Sequence, residues 1–98
     1  MIGSFADKAT EDVYNELNSK QARKILNPVL HAVAHRKLDM LDAAHTLEDL
    51  KIPPSNRLEA LKGDRVGQHS IRINDQYRIA FFWGPQGPEQ VEIVDYHH

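Results

Sequence analysis

Two arginines, Arg72 and Arg78, flank the polar stretch Asn74-Asp75-Gln76 between two runs rich in Ile, Tyr and Phe. A three-residue loop there pairs Ile73 with Tyr77, Ile71 with Ile79 and His69 with Phe81 on one face. The same register sets Arg72 opposite Arg78 on the other face, beside Ser70 and Ala80. Like charges directly opposed across a hairpin are destabilising unless something compensates them. A bound anion would do so, because guanidinium forks match phosphate geometry; so would a neighbouring carboxylate. A two-residue loop would instead send the two arginines to opposite faces. Phe82 falls on the arginine face, where it could stack on a base or simply cover the arginine stems.

Three further groups carry potential chemistry. Lys62-Gly63-Asp64-Arg65-Val66-Gly67 combines two glycines with two bases before that hairpin, without the spacing of a P-loop. His31 and His35 stand four residues apart, which is ligand spacing on a helix. No acid lies between them, so the metalloprotease pattern is absent, and two exposed helix histidines explain the pair. Asp95-Tyr96-His97 places three proton-handling groups in a row at the end of a strand-like run. Alternation puts Tyr96 on the face opposite Asp95 and His97 if the strand continues. His97-His98 also fits the remnant of an expression tag.

These groups need a frame. Residues 2–5 read as a short first strand. Thr10 reads as the cap of a short helix with Glu11 and Asp12 in its first turn and Val13, Tyr14 and Leu17 on one face. Asn27-Pro28 opens the strongest periodic segment, a helix over about 28–43 carrying Val29, Leu30, Val33, Ala34, Leu38 and Leu41. An earlier turn near Gln21 could begin it. Thr46 with Asp49 starts one more helical turn, and Pro53-Pro54 ends helical character. Runs at 57–62, 68–73, 77–83 and 90–96 then read as strands. Helices followed by consecutive strands predict an α+β domain. Two N-terminal helices pack on one face of a mostly antiparallel sheet of four to five strands, in the order β-α-α-β-β-β-β. The first strand reaches the sheet by a long crossover and belongs at an edge.

With 98 residues, one domain spans the chain, 1–98. There are no cysteines, which excludes disulfide scaffolds and thiolate metal sites. No apolar run is long enough to span a membrane, and the start lacks the basic and apolar regions of a signal peptide; a cytoplasmic location is the expectation. The net charge is −2, but residues 55–83 hold five bases (Arg57, Lys62, Arg65, Arg72, Arg78) against three acids. From composition alone that local excess is ordinary surface charge.

The run from Asn56 to Arg65, followed by Gly67 to Ile79, resembles the HigB group of the RelE/ParE toxin superfamily. The helical stretch from Arg36 to Ala44 and the terminal Val91-Glu92-Ile93-Val94-Asp95-Tyr96-His97 are similar to the same family. The likeness covers nearly the whole chain in order. It implies a toxin of a type II toxin–antitoxin pair, with the compact α+β fold just derived. It further implies a ribosome-dependent endoribonuclease that cuts translated mRNA in the decoding site. The implied partner is a HigA-like helix-turn-helix antitoxin, through which alone the toxin would meet operator DNA. No cofactor, metal or membrane is implied.

The implied chemistry is attack of a ribose 2′-hydroxyl on the adjacent phosphate with loss of the 5′-oxygen. It needs a base, cations for the phosphorane charge and an acid. Carried over by motif, Lys62, Arg72 and Arg78 are the electrostatic candidates, and Asp95, Tyr96 and His97 the candidates for proton transfer and mRNA positioning. Arg57, Arg65, Gln68 and His69 are the expected RNA contacts. Where some members have histidine three residues before the lysine, this chain has Glu59, so the base falls to Glu59, His97 or Asp95. ParE-like members share the fold but bind DNA gyrase without cutting RNA; the Asp-Tyr-His ending favours cleavage over that alternative.

Overall fold

The computed structural model describes residues 1–96; His97 and His98, and with them the proposed role of His97, lie outside the described residues. Three α-helices precede a four-stranded antiparallel meander, β1-β2-β3-β4 in sheet order. They are α1 (Lys8–Tyr14), α2 (Lys20–Ile25) and α3 (His31–Ala43), and the strands are β1 (Glu59–Ala60), β2 (Gln68–Arg72), β3 (Tyr77–Gly84) and β4 (Gly87–Asp95). This is the α+β architecture read from the sequence, with differences at its margins.

The turn expected near Gln21 is a separate helix, α2. Ser19 caps it by accepting the Ala22 amide at 3.0 Å, and Leu26 leaves helical geometry before the proline. Asn27 caps as expected, accepting from the Val29 amide at 3.0 Å. The first turn, Pro28–Leu30, is a 3-10 helix leading into α3. Thr46 and Asp49 form a reciprocal capping box on the 3-10 helix Leu47–Lys51.

Three expectations need correction. Thr10 is not the cap of α1; Asp7 is, and its carboxylate accepts the Thr10 amide at 2.7 Å. Thr10 is instead fully buried, and its hydroxyl accepts the Ile93 amide of β4 at 3.0 Å. Residues 2–5 do not form a full strand. They make a single parallel bridge, Phe5 to Val91, in which the Ser4 carbonyl accepts the Val91 amide and the Val91 carbonyl accepts the Ala6 amide, while the Ser4 hydroxyl takes the Gln90 amide. The segment does cover the β4 edge, where the crossover argument put it. The strand expected over 57–62 shrinks to Glu59–Ala60.

The core lies between the helices and one sheet face. Ala34, Leu38 and Leu41 recur at one-turn spacing on α3 and meet Ile71, Ile79, Phe81 and Val91, all nearly or wholly buried. Burying each Leu, Ile or Phe contributes about 1.5–3 kcal/mol, so this face fixes the register. Opposite Ala80 and Phe82, β4 carries one extra residue: Ala80 pairs with Glu92 but Phe82 with Glu89. The bulge, with Gln90 at φ +51°, keeps both Val91 and Pro88 facing inward. A second, smaller apolar cluster of Leu61, Ala80, Val94 and Tyr96 covers the other face. The candidate site stands on that face.

Candidate functional site

The β2–β3 hairpin has the expected register: Ile71 pairs with Ile79, Ser70 with Ala80, and Arg72 with Arg78. Asn74 builds the loop by accepting the Gln76 and Tyr77 amides at 2.9 and 2.7 Å. The two arginines therefore share the face away from the helices, and they are treated differently there. Arg72 is half-buried and pairs with the Asp75 carboxylate in its own loop. Compensation by a neighbouring carboxylate is thus realised for Arg72.

Arg78 is buried, with 7% of its surface exposed. Its Nε donates to the Ser70 hydroxyl at 2.7 Å. Its Nη2 donates to the Arg57 carbonyl, and at 3.3 Å to that of Ser70. The nearest carboxylate, Glu59, stands 3.9 Å from Nη2 and is itself partly exposed. The Tyr96 ring centre lies 5.5 Å from the guanidinium carbon. Burial pushes the Arg78 guanidinium below its ordinary value and Glu59 opposes the shift; an arginine nevertheless stays charged. The result is a fixed, dry cation oriented mainly by neutral acceptors.

Two adjoining concavities open on this face. One, of about 240 Å³, is lined by Arg57, Glu59, Arg72, Asn74, Asp75, Arg78 and Tyr96. The other, of about 440 Å³, is lined by Glu59, Ala60, Leu61, Lys62, Arg65 and Tyr96. Glu59 and Tyr96 line both, so Lys62 and the arginine pair stand on either side of one shared wall. Larger hollows exist on the helical side; the one beside α3 brings His31, His35 and Arg36 together with Glu16 among Val13, Leu17, Pro28 and Ala32, and both histidines there are already engaged. His31 donates to the Ala22 and Leu26 carbonyls at 3.0 and 2.8 Å. His35 donates through Nδ1 to the Tyr14 carbonyl at 2.9 Å, and its Nε2 sits 3.2 Å from both Glu16 and Asp39. The ligand-spaced pair is thus spent on tying α3 to α1 and α2.

The remaining expected residues divide. Arg65 and Gln68 lie on the arginine face and bond each other at 3.0 Å, while Arg65 also reaches Glu92 at 3.1 Å. Arg57 contributes its carbonyl to Arg78 and its side chain to the smaller cavity. His69 is not brought to this cluster. Strand alternation turns it to the helix side, where it stacks on Phe81 with ring centres 6.4 Å apart, and its Nδ1 is buried without a hydrogen-bond partner among the described residues. Asp95 pairs with Tyr77 at the sheet's end and accepts from the Gln76 amide side chain at 3.1 Å. Alternation sends it to the side opposite Val94, away from Arg78. Tyr96 packs with Val94 on the arginine face, although β4 ends at Asp95 and the alternation expected of a continuing strand does not apply to it.

Sequence reasoning missed Ser70 as a partner of Arg78 and gave no role to Asn56 or Lys37. Ser70 was legible in principle: it is a small hydroxyl two residues before Arg72, on the face of two opposed arginines.

A family model described as the RelE-like toxin of the type II toxin–antitoxin system HigB matches residues 3–97. Toxin HigB-1 of Vibrio cholerae serotype O1 is 46% identical over 83 residues, covering 85% of this chain and 84% of that protein. An uncharacterized protein of Haemophilus influenzae is 44% identical over 52 residues, 53% of this chain and 52% of its own length. Among solved structures, the YoeB–YefM complex from Staphylococcus aureus contains a chain similar in fold. Its TM-score is 0.60 at 15% identity, covering 100% of this chain and 99% of that one. The buried Arg78, the Arg72 beside it and the residue runs that carry them thus sit in a matching sequence frame and a matching fold, and the chain belongs to the HigB-like family of RelE-like toxins of type II toxin–antitoxin systems.

Proposed function

We propose that this toxin is a ribosome-dependent endoribonuclease that cuts translated mRNA on the face bearing Arg78. The observation that carries the reading is the environment of Arg78. A guanidinium held by a hydroxyl and two carbonyls keeps its charge available to an anion; Arg72 lines the same concavity and Lys62 the adjoining one. Preorganised cations of this kind stabilise charge that develops in a transition state.

In the reaction the ribose 2′-oxygen forms a bond to phosphorus as its proton passes to a base. The bond from phosphorus to the 5′-oxygen then breaks, and that oxygen takes a proton, leaving a 2′,3′-cyclic phosphate and a 5′-hydroxyl. Glu59, which lines both concavities, is the first candidate to take the 2′-proton and His97 the second; Asp95, turned to the opposite face, drops out as the base. Tyr96 offers a ring to stack on a base. The net charge of −2 gives weak affinity for bare RNA, since such affinity comes from many phosphate contacts. The ribosome then supplies substrate positioning. The antitoxin partner is a HigA-like helix-turn-helix protein.

Purified toxin is added to an in-vitro translation reaction and to naked mRNA, and the ends are mapped. The reading expects cuts within translated codons and hardly any in naked RNA. Equal rates in both would remove ribosome dependence; no cuts in either, with inhibited gyrase, would replace the reading by the gyrase-binding one.

A further inference from the structure

The carbonyl of Arg57 reaches Arg78 because Arg57 adopts left-handed backbone, φ +47° and ψ +54°. Non-glycine residues rarely do so unless their surroundings enforce it. The preceding residue supplies the enforcement. Asn56 is fully buried and ties three segments together. Its Oδ1 accepts from the Lys37 ammonium of α3 at 2.5 Å. Its Nδ2 donates to the carbonyls of Leu50 and Ile52 at 3.2 and 3.4 Å. The Asn56 and Arg57 amides close the short 3-10 turn on the Pro53 and Pro54 carbonyls.

We propose that Asn56 is a positioning residue for Arg78: held by Lys37 and by the Leu50 and Ile52 carbonyls, it fixes the left-handed turn at Arg57 that aims a carbonyl at the guanidinium. A carbonyl orients the cation without cancelling its charge, which a carboxylate at the same place would do. Lys37 itself is half-buried, and burial together with Arg36 and Arg72 pushes its ammonium below the ordinary value; the Asn56 amide oxygen is its neutral anchor. The helical layer is thereby connected to the opposite face of the sheet through one side chain. This inference rests on the phosphate-binding role of Arg78 given above.

Asn56→Ala and Lys37→Met are compared with the unaltered protein in two measurements. Nitrogen NMR follows solvent exchange of the Arg78 Nε–H, which needs no activity. Ribosome-programmed cleavage, normalised to folded protein, gives kcat and KM. The expected result is faster Nε–H exchange in both variants, and for Asn56→Ala a fall in kcat of about 10²-fold at unchanged KM, as for a catalytic group displaced by about 1 Å. A loss of stability alone would leave the normalised kcat unmoved and would speed the Arg78 Nε–H and the backbone amides of β3 alike, so the exchange reading is the Nε–H rate relative to those amides. Unchanged Nε–H exchange in the folded variants overturns the proposal. If Asn56→Ala does not fold, Lys37→Met, which keeps the aliphatic stem and removes the donor, decides by the same exchange reading. Faster exchange in the variants, together with an unaltered protein that cuts no translated mRNA, supports the positioning role and overturns the ribonuclease reading alone.

Discussion

The Tyr96 ring lies 5.5 Å from the Arg78 guanidinium carbon, so the last described residue of the chain closes over the most buried cation of the sheet. Backbone and ring both hold Tyr96 there. Its amide donates to the Gln76 carbonyl at 2.6 Å, and its ring packs on Leu61, Ala80 and Val94. The cation–π attraction contributes about 0.5–2 kcal/mol, and it shields one side of the guanidinium while the concavities leave others open.

Arg78→Lys separates charge from geometry. An ammonium keeps the charge but has no planar fork to meet the Ser70 hydroxyl, the Ser70 carbonyl and the Arg57 carbonyl at once. Cleavage of translated mRNA should fall about 10²–10³-fold, as when one preorganised donor is lost, with circular dichroism unchanged. Full activity in Arg78→Lys would mean that charge alone is used.

Tyr96 should matter mainly through its ring. Tyr96→Phe keeps the packing and the contact with Arg78, and its unfolding free energy should stay within about 0.5 kcal/mol of the original. Tyr96→Ala removes both and should lose about 1–2 kcal/mol together with most cleavage. If Tyr96→Phe is as inactive as Tyr96→Ala while remaining as stable as the original, the hydroxyl carries a proton or a substrate hydrogen bond.

The face shared by Arg72 and Arg78 was legible because it depends on local quantities: strand alternation and the length of the Asn74-Asp75-Gln76 loop. Tyr96 lies beyond the reach of that alternation, because β4 ends at Asp95; its amide on the Gln76 carbonyl and its packing on Val94 place it. What escaped depends on contacts across the sequence. Nothing near Asn56 shows that Lys37, nineteen residues earlier, donates to it. Thr10 looks like a cap because threonine suits one; its real partner is the Ile93 amide, eighty-three residues away. The His69 contact with Phe81 was expected from the hairpin register, and that same register keeps His69 off the arginine face and out of the RNA contact also expected of it.

Thr10→Val tests that long-range bond. The shape is conserved, but the buried Ile93 amide loses its acceptor. An unpaired buried donor costs about 1–3 kcal/mol, so urea unfolding should show a loss of that size with little change in slope. An unchanged midpoint would show that Ile93 finds another partner.

Acid should weaken the helical layer. Hydrogen bonds from Lys8 and then Ser19 hold the Asp12 carboxyl below its ordinary value of 3.8. Backbone amides of His45 and Thr46 do the same for Asp49. A carboxyl depressed by folding stabilises the protein above its unfolded value and loses that contribution as pH falls through its folded one. Stability should therefore drop as pH falls below about 4. Asp12→Asn should be weaker than the original protein near neutrality and converge with it in acid. Parallel curves down to pH 2 would contradict this origin of the acid sensitivity.

Removing residues 97–98 tests the proton-transfer role proposed for His97. Histidine ordinarily titrates near pH 6.5, so it exchanges protons at working pH. The truncated chain retains every contact described for Arg78, because those come from Ser70, Arg57, Glu59 and Tyr96. Binding of the antitoxin and thermal stability should therefore persist. Cleavage should drop about 10²–10⁴-fold, the contribution of a positioned acid or base, and the pH–rate profile should lose the limb near neutrality. If cleavage and its pH profile survive, the transfer belongs elsewhere. Glu59 is then the first candidate, since it lines both concavities and stands 3.9 Å from Arg78, and Glu59→Gln should abolish what the truncation left intact.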